Sequence, residues 1–251
     1  LLWGGGGQMG HELKQQLSSN PLFHHFSLIG EVNSKTPESQ AHNLLHQGDF
    51  LIDFSHASAT AKLLNHLDQL TSSSLKYMLI GTTGLLETTV QKAQEVSVKH
   101  GVTTLIAPNT SLGIMVLYQT IKSWMPLVGS KNFDVELVEY HHNRKHDAPS
   151  GTAKLLLSAV TSHPHHNKGT GHHPAQSKRE KGFVGAHAVR GGGVFGEHQL
   201  HFLSEDESLT IKHSALSRSL FAKGALVMAD KLTNLSQGFY QYQDLSPDFL
   251  H

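Results

Sequence analysis

The amino-acid sequence predicts an α/β protein: an N-terminal Rossmann-type parallel sheet, then an α+β domain built on an open mixed sheet. Three observations carry that expectation. The apolar strand Leu1-Leu2-Trp3 runs directly into a glycine-rich segment, Gly4 to Gly10. Short apolar strands then alternate with amphipathic stretches as far as residue 107, the rhythm of parallel strands joined by right-handed crossovers. From about Ser111 this gives way to longer strands, interrupted by one helix and a histidine-rich loop.

The elements follow in order. Met9, Leu13 and Leu17 recur every four residues, so a helix starts within the glycines. Strands are expected at Phe26–Ile29, Phe50–Phe54, Tyr77–Ile80 and Val102–Ala107, with helices over 57–70 (Leu63, Leu64 and Leu67) and 86–99. A helix over 111–124 leads to strands at 133–140, 183–190, 194–203 and 207–213. Between the first two of these strands lies a helix, 152–161, whose Ala153, Leu156, Leu157 and Val160 fall at i, i+3, i+4 and i+7. A last helical stretch runs from Ser219 to Leu235. Residues 1–109 are expected to form a dinucleotide-binding domain, with residues 219–240 packing back on it, and residues 110–218 a second domain.

Composition narrows the chemistry. Lysine plus arginine equals aspartate plus glutamate at 20 each, so no basic field recruits nucleic acid. No apolar run approaches a membrane span, and no charged start is followed by a long apolar segment. A cytoplasmic location is the expectation. With no cysteine, an aldehyde dehydrogenase working through a thiohemiacetal is excluded. The 21 histidines include His163, His165, His166, His172 and His173 within residues 161–182, a stretch rich in Ser, Gly, Lys and Pro. It reads as a polar surface loop, with no thiol or carboxylate pattern marking a metal geometry.

Gly5, Gly7 and Gly10 satisfy G-x-G-x-x-G between a strand and a helix, where glycine lets backbone approach a pyrophosphate at a helix N-terminus. The acid expected about 20 residues on, for the ribose hydroxyls, is not clean: Glu31 and Asn33 stand there, with Lys35 close by. Asn33 in the key position weakens discrimination against a 2′-phosphate, so use of both NADH and NADPH is expected. Tyr118 and Lys122 imitate a Tyr-x-x-x-Lys catalytic pair, but on a helix after the sheet they read as an ordinary surface pair.

The densest chemistry lies in residues 139–152. The strand before it alternates Val135, Leu137 and, less cleanly, Glu139 against Glu136, Val138 and Tyr140, so His141 and His142 leave its end on opposite faces. Arg144, Lys145 and His146 follow. Ser150-Gly151-Thr152 then opens a helix whose free N–H groups suit a carboxylate or phosphate. An acid, cations and an anion cradle together describe a site for an anionic small molecule.

This run resembles the signature of the dihydrodipicolinate reductase family, roughly E-x-H-H-x-x-K-x-D-A-P-S-G-T-A. It matches at Glu139, His141, His142, Lys145 and Asp147 through Ala153. Segments matching in order along the chain include Gly4-x-x-Gly7-x-Met9-Gly10, Ile52-Asp53-Phe54, Gly81-Thr82-Thr83-Gly84, Ala107-Pro108-Asn109, Arg190, Gly196-Glu197-His198 and Ser217-Arg218. The resemblance implies that Gly4, Gly5, Gly6, Gly7, Gln8 and Met9 hold the cofactor pyrophosphate. It places Gly81, Thr82, Thr83, Ala107, Pro108, Asn109 and Thr110 beside the nicotinamide. His141 is implied as proton donor, Lys145 as a second donor, and His142, Gly151, Thr152 and Arg218 as holding the substrate carboxylates. It further implies NADH- or NADPH-dependent reduction of 4-hydroxy-tetrahydrodipicolinate, with loss of water, in lysine and diaminopimelate biosynthesis. The 110–218 domain then binds substrate and builds a homotetramer through its sheet. Asp53 reads as a structural residue at a strand end, and Glu197 and His198 as residues that stabilise the second sheet. Two alternatives remain. One is a dehydrogenase of aspartate- or homoserine-like substrates, which does not require the 139–152 run. The other is a non-catalytic dinucleotide-binding regulator, which has no need of paired proton donors.

Overall fold

The computed structural model describes residues 1–129, 133–166, 170–171 and 178–250. It divides into two compact units: Leu1–Ser111 together with the segment from Arg218 onward, and Leu112–Ser217.

The first unit holds β1 (Leu2–Trp3), α1 (Gln8–Ser19), β2 (Glu31–Val32), α2 (Glu38–Leu45), β3 (Phe50–Asp53), α3 (Ala57–Gln69), β4 (Tyr77–Ile80), α4 (Glu87–His100) and β5 (Thr103–Ile106). After the second unit the chain returns with the last helix (Ser219–Leu232) and the last strand (Phe239–Gln241). The sheet has six strands in the order β2-β1-β3-β4-β5-last strand, every neighbouring pair parallel. The order reverses at β1, so β1 and β3 diverge at a topological switch point, where open α/β sheets bind ligands. The glycine segment leaves the carboxyl end of β1 at that point. Leu51, Leu63, Leu64, Met78, Ile80 and Val96 are fully buried in the core, each contributing about 1.5–3 kcal/mol of transfer free energy. The last helix buries Ala222, Ala225, Leu226, Met228 and Ala229 and packs on α1 and β4.

Three elements of this unit depart from the sequence-based expectation. Phe26–Ile29 is not a strand. The two-residue β1 pairs Leu2 with Glu31 and Trp3 with Val32, so the ladder begins after the apolar run. Phe26 instead packs edge-on against Phe50, with ring centroids 5.8 Å apart, and Leu28 and Ile29 stay 40% and 42% exposed. Helix α2 was not expected because it buries only Ala41 and Leu45 of its eight residues, too few to show a period. The last strand was also missed. Its three residues are only partly buried, and pairing with Thr104–Ile106 makes them a strand.

The second unit contains α5 (Leu112–Val128), β6 (Asp134–His141), α6 (Gly151–Thr161), β7 (Thr170–Gly171), β8 (Val184–Arg190), β9 (Glu197–Leu203) and β10 (Ser208–Ser214). With these named, the last helix and strand become α7 and β11. The sheet is open and mixed, in the order β10-β9-β6-β8-β7; β6 runs parallel to β8 and antiparallel to β9. Alternation along β6 is strict: Val135, Leu137, Glu139 and His141 are buried, and the residues between them are partly exposed. Period two therefore carries a carboxylate and an imidazole into the same face as two core aliphatics.

Candidate active site

At the dinucleotide end, helix α1 starts at Gln8 with Gly7 as N-cap, no capping side chain and no acid in its first turn. Free N–H groups and the positive dipole end are thus left for an anion. Gly4 has φ +87°, and a Cβ there would lie 2.6 Å from the Phe54 carbonyl oxygen. A Cβ on Gly5 would lie 2.5 Å from Glu31 Cβ, and one on Gly10 would overlap the Gly5 backbone. These positions demand glycine for backbone shape and for seating the helix on the loop. Gly4, Gly6, Gly7, Asn33, Lys35 and Ser55 line a cavity of about 560 Å³. An adjoining one of about 750 Å³ takes in Trp3, Asn33, Ser34, His56 and Lys62. The cradle fits a dinucleotide.

The acid question resolves locally. Glu31 is engaged by Lys14 at 2.5 Å and lies against Gly5, outside both cavities. Asn33 lines both, its Oδ1 accepting from the Lys35 backbone N–H at 2.9 Å. Both cavities thus have an uncharged side chain in their wall at residue 33.

Among the other residues assigned to this end, several have structural work. Thr82 is buried and its hydroxyl accepts from the Ser55 N–H at 3.1 Å. A Cβ on Gly81 would overlap the Phe54 ring. Asn109 Oδ1 accepts from the Ser111 N–H, and Thr110 donates to the Phe221 carbonyl at 2.8 Å, joining the end of β5 to α7. Thr83 and Pro108 are exposed, and Ala107 is buried. Asp53 is fully buried and structural: it accepts from the Ser55 N–H and from the Thr60 hydroxyl at 2.5 Å. Burial raises its pKa against the pull of those bonds.

In the second unit, β6 ends at His141, which is 7% exposed. Two residues earlier on the same face is Glu139, fully buried. Glu139 Oε1 accepts from the Ser150 N–H at 3.0 Å and from Arg190 at 2.7 Å. Oε2 lies 3.6 Å from His141 Nδ1 and 3.5 Å from His198 Nε2. The His141 and His198 rings meet edge-on, centroids 5.2 Å apart. Burial alone would raise the Glu139 pKa, but the facing His198 ring and the bonds from Ser150 and Arg190 hold it well below the usual carboxylate range. Burial pushes the His141 imidazole down to about 4; Glu139 opposes this, while His198, Lys145 and Arg190 add to it.

Past the strand, the His142 N–H donates to the Val194 carbonyl, and Lys145 reaches Asp147 Oδ1 at 2.7 Å. Burial would raise the Asp147 pKa, but Lys145 holds it below its ordinary value. The Ala148–Pro149 peptide is cis. Ser150 caps α6, its hydroxyl accepting from the Ala153 N–H at 3.1 Å while lying 3.2 Å from His198 Nε2. Gly151 follows, with no atom within 4 Å of where a Cβ would stand.

Of the residues expected at the site, His141, His142, Lys145, Gly151 and Thr152 all belong to the second unit, along β6, the following turn and the start of α6. Arg218 belongs to the first unit, as the residue immediately before α7. Arg144 and His146 are exposed. Sequence reasoning gave no role to Glu139 or Arg190, and it read His198 as sheet support only; His198 in fact faces the Glu139 carboxylate. The one available signal was an acid on the buried register of β6, which requires a buried partner. Tyr118 is buried, with the Lys122 ammonium 5.6 Å from its ring centroid, so that pair is half core. His166 is buried too, bonded through Nε2 to the Phe133 carbonyl at 2.9 Å, whereas a surface loop was expected; His172 and His173 lie outside the described residues. Among the described residues, Glu139, His141 and His198 bring ligand atoms within 4.8 Å of one another. Arg190 on the same carboxylate sets a positive charge there, which opposes a divalent cation.

A parallel α/β unit with a glycine cradle, joined to an α+β unit carrying a buried acid–base cluster, defines a two-domain, dinucleotide-dependent oxidoreductase. Residues 1–110 match the family model for the N-terminus of dihydrodipicolinate reductase, and residues 113–245 match that for its C-terminus. The chain belongs to the dihydrodipicolinate reductase family. It is 36% identical to the 4-hydroxy-tetrahydrodipicolinate reductase of Alkaliphilus metalliredigens, over 98% of this chain and 97% of that one. To the enzyme of the same name from Zymomonas mobilis it is also 36% identical, over 97% and 95%. Among solved structures, dipicolinate-bound dihydrodipicolinate reductase from Paenisporosarcina sp. TG-14 superposes with a TM-score of 0.75 at 20% identity, covering 98% of each chain. That likeness extends the agreement in fold to the whole chain.

Proposed function

We propose that this chain reduces 4-hydroxy-tetrahydrodipicolinate to tetrahydrodipicolinate, with loss of water, using NADH or NADPH, in lysine and diaminopimelate biosynthesis. One observation carries the reading. A single strand end presents a buried imidazole, and the next ten or so residues supply Lys145 and the N-terminus of α6. A reduced nicotinamide, when bound, supplies the hydride.

The protein's own contribution is binding, charge and a proton. The N–H groups of the first turn of α1 hold the pyrophosphate, while the loop Gly4–Gly7, whose Gly4, Gly5 and Gly7 N–H groups bond to the Val32 and Gly4 carbonyls, lets the phosphates approach its backbone. In the second unit, the substrate carboxylates draw on the N–H groups at Gly151 and Thr152 and on the side chain of His142. Negative charge that builds on the conjugated ring as its double bond is reduced needs a positioned acid. His141 supplies that proton, and Lys145 adds a fixed positive charge and a second donor. In the free chain His141 is neutral at pH 7. A bound dianion raises its proton affinity, so that the acid is charged when it is required.

A cytoplasmic homotetramer completes the reading. No helix among the described residues is long and apolar enough to cross a membrane. Away from α5 and α6, the second sheet leaves Val189 and Leu203 43% and 38% exposed, which suits burial against another copy. Neither the aspartate- or homoserine-type dehydrogenase nor the silent regulator is favoured by any observation.

The test is direct. Substrate is generated in situ from pyruvate and aspartate semialdehyde by the preceding synthase, and NADH and NADPH oxidation are followed. Turnover with at least one cofactor is expected; oxidation of neither defeats the proposal. His141→Gln and Lys145→Ala should each lower kcat by about a hundredfold or more while changing KM little. A change in KM alone would reassign them to binding.

A further inference from the structure

We infer that Glu139 is a positioning residue for the proton donor: its buried carboxylate holds His141 with hydrogen on Nδ1 and leaves Nε2 to serve the substrate. The inference rests on the reading of His141 as that donor.

The geometry is specific to one oxygen. Oε1 of Glu139 is committed to two donors, the Ser150 N–H at 3.0 Å and Arg190 at 2.7 Å, which fix the plane of the carboxylate. Oε2 is buried with no hydrogen-bond partner, and so is His141 Nδ1, 3.6 Å away. Two buried, unsatisfied groups facing each other each carry a desolvation cost that one bond would remove. Catalytic hydrogen bonds are often long in the empty site and shorten in the complex. The other imidazole nitrogen, Nε2, faces Gly196, where a Cβ would stand 3.2 Å from it. A side chain there would crowd the nitrogen that must reach substrate; glycine leaves it clear.

Charged and titratable groups surround His141 from each neighbouring element: Glu139 on β6, Arg190 on β8, His198 on β9 and Lys145 in the turn. Of these, Glu139 alone is an anion, so it alone stabilises the imidazolium. It cannot be the donor itself, because Arg190 and the Ser150 N–H keep it ionised. His198 faces the same oxygen from the far side at 3.5 Å, and its ring limits how His141 can turn. An imidazole whose orientation and tautomer are set by a buried carboxylate is a recurrent acid–base design.

Two measurements test this. Nitrogen NMR of histidine-labelled wild-type protein above pH 7, with the His141 signal assigned by its loss in His141→Gln, should show hydrogen on Nδ1. Hydrogen on Nε2 overturns the inference without any variant at Glu139. Glu139→Gln keeps the shape and one acceptor for Arg190 but removes the charge. It should lower kcat between about a hundredfold and ten-thousandfold, change KM less than threefold, and shift the pH profile of kcat. In a His141→Gln background the same change should cost almost nothing more. Wild-type kcat in Glu139→Gln overturns the inference, and so does an equal loss in both backgrounds, which would mark a merely structural role. Undiminished kcat in His141→Gln alone instead sinks the donor assignment, and the positioning role with it.

Discussion

At the scale of single residues, two side chains make quantitative predictions. The His141 pKa is about 4 in the folded chain against an ordinary 6.5. Between those values the unfolded chain binds more protons at this residue, so stability falls as pH drops from 6.5 and this contribution is gone below about 4. His166 and His213 are depressed in the same direction and act in a window bounded above by the same ordinary value. Glu139 acts lower: its contribution is present above pH 4.5 and is lost as pH falls from there. Urea midpoints at pH 7, 5.5 and 4.5 should therefore decline, and His141→Gln should flatten the decline; an unchanged slope would rule out this account of its burial. Asn33 governs the other end. Asn33→Asp places a charge in both cavities that border the glycine loop, which should repel a 2′-phosphate and favour ribose hydroxyls. The KM for NADPH is expected to rise about fivefold or more against that for NADH, since a single like-charge encounter is worth on the order of 1 kcal/mol even in water. Equal Michaelis constants in the variant would remove Asn33 from the selectivity.

At the scale of elements, the start of α6 links packing to chemistry. Ser150 caps the helix through its hydroxyl and donates its N–H to Glu139. Ser150→Ala removes the first and keeps the second. It should cost about 1 kcal/mol, or roughly 2–4 °C in Tm for a chain of this size, with kcat far less affected than in Glu139→Gln. An activity loss as large as that of Glu139→Gln would mean that the hydroxyl, through His198, has a catalytic part. Helix α1 makes the opposite case. Alanine is ordinarily the better helix former, by roughly 1 kcal/mol over glycine. At Gly10 an added methyl would overlap the Gly5 backbone, so Gly10→Ala should lower both Tm and cofactor affinity. These local features were legible in the sequence because they are short-range: the glycine spacing, the Ser cap and the period-two run of β6 each lie within one segment. The strand expected at Phe26–Ile29 was not, because apolar composition cannot tell a residue in the ladder from one packed beside it. Strand β11 was illegible for a related reason: its partner β5 lies more than a hundred residues away.

For the whole molecule, the proposed assembly is the testable property. Sedimentation of the purified chain should give a tetramer. Replacing Val189 and Leu203 with lysine should dissociate it, because burying added charge between copies is costly. A wild-type monomer that turns over substrate normally would refute the tetramer and leave the reaction untouched.

By itself the sequence determined the family, the order of most elements, the glycine cradle and the identity of the expected proton donors. All of these are patterns in neighbouring residues, and neighbouring residues set backbone period, turns and caps. Only the tertiary structure decided which partners surround His141. Glu139 was visible as an acid out of place on a buried face, but Arg190 and His198 reach it from β8 and β9, about 50 to 60 residues further along the chain. Strand pairing brings them there, and strand register is a property of the sheet, which no single segment contains.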